Sequence, residues 1–190
     1  MDFESFRRTL WREGDPDSAL PAWNFYHRAL CAALRAELRP LGVEADDLLA
    51  DFSVDEGSDR SAIVARVLEI VARPLPDDVL LNLPPLLEGP EARPYFDALV
   101  RAVRATNSKP LTQSVLAYVL TRNAKPPQVP VLCELACDTE LGAAARFGIV
   151  MSLKRRRRGN PHVVEVLEQL RADEAIGAEV GRLLDGKWRR

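Results

Sequence analysis

The residue types that do chemistry are thinly spread in this chain. Its two histidines, His27 and His162, lie far apart. His27 falls inside a long helical pattern beside aromatic residues, and His162 follows Pro161 at the start of another. A packed or surface imidazole is expected at each rather than a general base. Cys133 and Cys137 are four apart, so on one helix they share a face and could touch one soft metal ion. A closed zinc site takes about four ligands, and no second cysteine pair or nearby histidine supplies the rest. Small thiols packed in a core are expected, Cys31 among them. The adjacent acids Asp46-Asp47 and Asp77-Asp78 would point about 100° apart on a helix, poor geometry for shared acid–base work. The chain carries no glycine-rich phosphate loop, no GxSxG elbow and no HExxH pair. No metal, no cofactor and no catalytic set are expected, hence no enzyme.

Charge is the denser signal. Lys154, Arg155, Arg156, Arg157 and Arg158 form an unbroken basic run, more cation than the end of a helix requires. Residues 44–59 hold seven acids and no base, with Asp46, Asp47 and Asp51 as the candidate contacts. The polarity extends to whole halves: residues 1–94 carry 10 basic and 18 acidic side chains, residues 95–190 carry 16 and 10. Each end is a candidate surface for a partner of opposite charge. Nucleic acid would be favoured by aromatic residues interleaved with the bases, and the sequence around the run has none.

The elements that must hold these residues are written as repeats. LACDTELGA (Leu135–Ala143) returns as LRADEAIGA (Leu170–Ala178), 35 residues later. The same offset carries Pro126 onto Pro161, Val129 onto Val164, Leu132 onto Leu167, Leu141 onto Ile176 and Gly142 onto Gly177. Each copy reads as two helices, with proline in the first turn and Asp138 or Asp173 as the N-cap of the second helix. A third copy begins at Pro94 with an offset of 33 and turns through Thr106–Pro110 without a capping Asp. A fourth, degenerate one covers residues 59–88, where SAIVARVLEIVA is a strong helix and Pro84-Pro85 break the next. Units of about 35 residues cannot bury their own apolar face and must stack.

This pattern resembles the short bacterial type of HEAT repeat over roughly residues 94–185, although Ala143-Ala144 and Ala178-Glu179 stand where that family usually has a Val-Arg pair. The resemblance implies a curved α-solenoid that binds a partner on its concave face, usually without catalysis. The expected fold is therefore all-α: an N-terminal helical cap over 1–58, then HEAT-like antiparallel hairpins over 59–190.

In the cap, residues 2–13 read as a short amphipathic helix. A longer helix follows from about Ser18 or Pro21 to about Arg39. Its main stripe is Trp23, Tyr26, Leu30, Leu34 and Leu38, with a second apolar side of Phe25, Ala29, Ala32 and Ala36. Apolar on two sides, it is expected to be a buried central helix. A short helix over 44–52 is expected to be held down by Leu48, Leu49 and Phe52, and no segment shows sustained strand alternation. No apolar run reaches the roughly 20 residues of a membrane span. The N-terminus has no signal-peptide pattern, and three cysteines make no disulfide framework. A cytoplasmic setting is expected.

A non-enzymatic protein-binding scaffold follows, one concrete form being an immunity or antitoxin-like protein whose acidic stretch covers a basic active site. The alternative is a nucleic-acid-binding HEAT-like protein that uses the basic C-terminal half.

Overall fold

The computed structural model describes residues 16–46, 49 and 52–186, with side chains from residue 25 onward. The expected helix over 2–13 lies outside them. The described residues are mostly helical, 72% of them. It divides into two compact units, Met1–Leu87 and Glu88–Arg190. Among the described residues no helix is long and apolar enough to cross a membrane.

In the first unit, α1 (Pro16–Leu38) runs on into a 3-10 turn, Arg39–Leu41, which Gly42 closes at φ 77°. Cys31, Leu34 and Leu38 on its inner side are buried. The expected second buried side is instead exposed: Phe25 is 78% exposed, and Ala29, Ala32 and Ala36 face solvent with it. The reason lies in the partners of α1, which packs against the 3-10 turn, a strand and a short helix and so covers one face only.

The acidic stretch corrects the sequence reading again. Val43–Ala45 (β1) pairs antiparallel with Phe52–Val54 (β2), Val43 opposite Val54, where a helix over 44–52 was expected. Three-residue strands are too short for alternation to show. Leu49, between them, is fully buried at a positive φ of 58°. Burial holds an aliphatic side chain there in a left-handed conformation that it disfavours.

Helix α2 (Arg60–Val71) is capped by Asp59, whose carboxylate accepts from the N–H groups of Ser61 and Ala62. It buries Ile63, Val64, Val67, Ile70 and Val71, at the spacing of one helical face. The helix expected after it is interrupted, as Pro84-Pro85 imply: α3 spans only Asp77–Leu80, and Pro84–Leu87 forms a 3-10 turn against α2. Arg73 clasps Glu37 of α1 with two hydrogen bonds, at 2.7 and 2.8 Å. That contact holds the Glu37 carboxyl below its ordinary pKa.

The second unit holds two helix pairs, α4 (Phe96–Ala105) with α5 (Pro110–Asn123) and α6 (Val129–Cys137) with α7 (Ala143–Arg156), followed in the chain by α8 (Pro161–Gln169) and α9 (Gly177–Leu184). Pro110 and Pro161 open their helices, where the missing N–H costs nothing. Asn160 caps α8 by accepting from the Val163 N–H. Within the pairs α4 packs on α5 and α6 on α7; between them α5 packs on α7, α7 on α9 and α6 on α8. Of the apolar residues that the 35-residue offset aligns, Leu132, Leu167, Leu141 and Ile176 are all buried. Val164, the counterpart of buried Val129, is 43% exposed.

The duplicated stretches share one local structure. Asp138 and Asp173 both take extended backbone after a helical turn, with their N–H groups on the carbonyls of Leu135 and Leu170. Each carboxylate accepts from the N–H two residues on, Glu140 or Ala175. Only Asp173 also takes the third, from Ile176. The helices begin later than the predicted N-caps imply, at Ala143 and Gly177. The aspartates therefore cap the turns that lead into those helices.

Candidate functional site

Two buried polar side chains, Gln113 and Arg146, tie helices of the second unit together. Gln113 of α5 and Arg146 of α7 lie 33 residues apart. Gln113 Nε2 donates to the Val103 carbonyl of α4 at 3.1 Å. Arg146 Nε donates to the Ala136 carbonyl of α6 at 2.9 Å, and Val103 and Ala136 are also 33 apart. Each side chain then reaches forward to the next second helix. Gln113 Oε1 accepts from the Gly142 N–H before α7, and the Arg146 guanidinium grips the carboxylate of Asp173 before α9. Arg146 is 2% exposed. Its hydrogen bonds to Asp173, with the two backbone N–H groups behind them, hold that carboxyl below its usual pKa. The role of Gln113 and Arg146 was missed in the sequence, where the 33-residue offset was the available signal.

The basic run lies at the end of α7 and in the turn after it, and the structure separates its members. Lys154 Nζ donates to the Leu183 carbonyl of α9 at 2.8 Å. Arg156 reaches the end of α5, donating to the carbonyls of Thr121 at 2.8 Å and Ala124 at 3.1 Å. Those carbonyls are among the groups that a helix end leaves unsatisfied. Burial pushes the Arg156 pKa down. Arg155, Arg157 and Arg158 are exposed, and no carboxylate among the described residues pairs with them.

An aromatic residue that the linear sequence hides does stand beside the run. Tyr118 of α5, 50% exposed, lines a hollow of about 370 Å³ with Arg122 of the same helix and Gly148, Met151, Arg155 and Arg156 of α7. The spacing Tyr118–Arg122 is one turn of α5, and Gly148, Met151 and Arg155 recur at three and four residues along α7. Every charged residue lining this hollow is cationic.

The other candidate residues are placed apart from it. Asp46 is exposed just after β1, and Asp47 and Asp51 lie outside the described residues. A second hollow, of about 430 Å³ beside α1 and β1, holds Arg39 and Glu44, already paired at 3.2 Å. His27 has neighbours that sequence reading overlooked. Its Nδ1 is 3.7 Å from the Cys31 Sγ and its Nε2 is 3.5 Å from Asp78 Oδ2. The four-residue step from His27 to Cys31 was the signal. This is a thiol–imidazole–carboxylate line, but Cys31 is fully buried. Burial first, and the Asp78 charge second, raise its pKa. A nucleophilic cysteine needs the opposite, a reachable sulfur and a stabilised thiolate. Cys133 and Cys137 are likewise thiols whose pKa burial raises. Among the described residues no three His, Cys, Asp or Glu side chains come close enough to hold a metal ion. Comparison of the chain with protein-family models, with curated proteins and with solved structures finds no match.

Proposed function

We propose that this protein is a non-enzymatic scaffold of stacked helical hairpins, a HEAT-like solenoid over its C-terminal part, that binds another protein. The observation that carries this reading is the division of labour in the basic run. Lys154 and Arg156 hold helix ends together, whereas Arg155, Arg157 and Arg158 stand exposed. Like charges side by side repel and stabilise nothing in the fold; they suit an acidic surface arriving from outside. The repeat supports the same reading. Gln113 and Arg146, large buried polar side chains of this unit, are engaged in spacing helices, which presents a rigid face rather than a reactive centre.

Affinity capture of the tagged chain from its source cells, followed by measurement of stoichiometry, tests this. One protein partner at a fixed ratio is expected, released by rising salt. Recovery of the chain alone, even after cross-linking, would reject it.

A second reading, nucleic-acid binding, draws on Tyr118 beside Arg122 and Arg155, the pairing of ring and cation that single strands use. Retention of DNA or RNA that weakens steeply with salt would favour it over a protein partner.

A further inference from the structure

We propose that the hollow between α5 and α7 seats an acidic segment of the protein partner: one apolar side chain against Tyr118 and Met151, flanking carboxylates on Arg122 and Arg155. This rests on the scaffold reading and names its contact site. The floor is open at Gly148, where an added Cβ would meet nothing within 4 Å, so the space is present without rearrangement. Arg156 also lines it, its guanidinium already held by the Thr121 and Ala124 carbonyls. Arg122 and Arg155 flank the space, both exposed and neither with a carboxylate partner among the described residues. A guanidinium fork matches a carboxylate in two parallel hydrogen bonds. Tyrosine and arginine dominate the energetic centres of protein interfaces, and a methionine thioether adapts its shape to an apolar guest.

The shape favours a peptide over a nucleic acid strand. The hollow of about 370 Å³ offers one exposed ring, that of Tyr118. Bases bound in succession need repeated stacking surfaces along a continuous cationic track.

The test titrates the full chain by fluorescence anisotropy with a labelled peptide of glutamates around one central phenylalanine. A peptide with serine in place of glutamate and single-stranded oligothymidylate serve as comparisons. The acidic peptide should bind and the serine peptide should not. Tyr118→Ala and the pair Arg122→Gln/Arg155→Gln should each weaken binding at least about fivefold. The pair Arg157→Gln/Arg158→Gln removes the same charge outside the hollow and should change it less than about twofold. Gly148→Leu fills the hollow without deleting a contact, and it should reproduce the loss if Tyr118→Ala melts early. Equal weakening by both arginine pairs would mean diffuse attraction and overturn the assignment. So would tighter binding of oligothymidylate than of the peptide, or no binding of the peptide at all. If the peptide fails while affinity capture still yields a stoichiometric protein, the scaffold stands and only the contact site is wrong. If both fail, both readings fall.

Discussion

Arg146 sits in an almost sealed position where each part of its guanidinium has an acceptor, the Ala136 carbonyl on one side and the Asp173 carboxylate on the other. Truncating it strands that carboxylate, so Arg146→Ala should lower stability by about 3–5 kcal/mol in denaturant unfolding. Arg146→Gln should cost distinctly less, since Gln113 shows that an amide can bond the carbonyl 33 residues earlier, that of Val103. The pair also sets an acid response. The folded pKa of Asp173 is depressed, so its contribution is present above the unfolded value of about 3.9 and is lost as pH falls through the folded value. The melting-temperature gap between wild type and Asp173→Asn should therefore be constant near neutrality and narrow in acid. A gap that widens in acid would contradict the pairing. The thiols make a separate test. Half-buried Cys137 should react with a maleimide before buried Cys31 and Cys133, and all three slowly at neutral pH, because burial disfavours their thiolates.

For a single helix or turn, the ends decide. An added Cβ on Gly177, the first residue of α9, would sit 2.4 Å from the Arg171 carbonyl oxygen. Gly177→Ala must therefore displace backbone, and a loss of about 1–3 kcal/mol is expected from thermal or denaturant melts. Asp173 accepts from two turn N–H groups as well as Arg146, and Asp138 accepts from one. Arg104 lies 3.5 Å from Asp138 as its ionic neighbour. Alanine at 173 should thus destabilise more than alanine at 138, the latter by about 0.5–2 kcal/mol; equal losses would show that the turn bonds dominate. Within the basic run, Arg156→Gln should cost about 1–2 kcal/mol through the α5 carbonyls it leaves. Arg157→Gln and Arg158→Gln should each stay within about 0.5 kcal/mol.

Across the whole molecule, the second unit carries its own buried residues, from Phe96 and Leu99 through Leu116 and Leu120 to Leu132, Ile149, Leu153, Val163 and Val180. Residues 88–190 expressed alone should therefore be helical and unfold in one cooperative step. A broad, non-cooperative melt would show that this core depends on the rest of the chain. The basic excess of residues 95–190 belongs to this same unit, so on the proposed reading the fragment should bind the acidic peptide as the full chain does.

Helix content, the proline-marked start of α8, the break at Pro84-Pro85 and the duplicated Asp turns could all be read along the chain. Each depends on a local cause: apolar period, a missing N–H, or a side chain bonding backbone two or three residues away. The β1–β2 ladder could not be read that way, because strands of three residues leave no period and their stability comes from pairing across a turn. Nor could the burial of α1, since an apolar face is covered only if some other element arrives to cover it. Tyr118 lies some 30 residues or more from the basic run in sequence. Only the packing of α5 on α7 puts its ring beside Arg155. The composition of the run identified a cationic edge; tertiary structure decided which cations hold helices together and which face outward, because that depends on carbonyls supplied by α5 and α9.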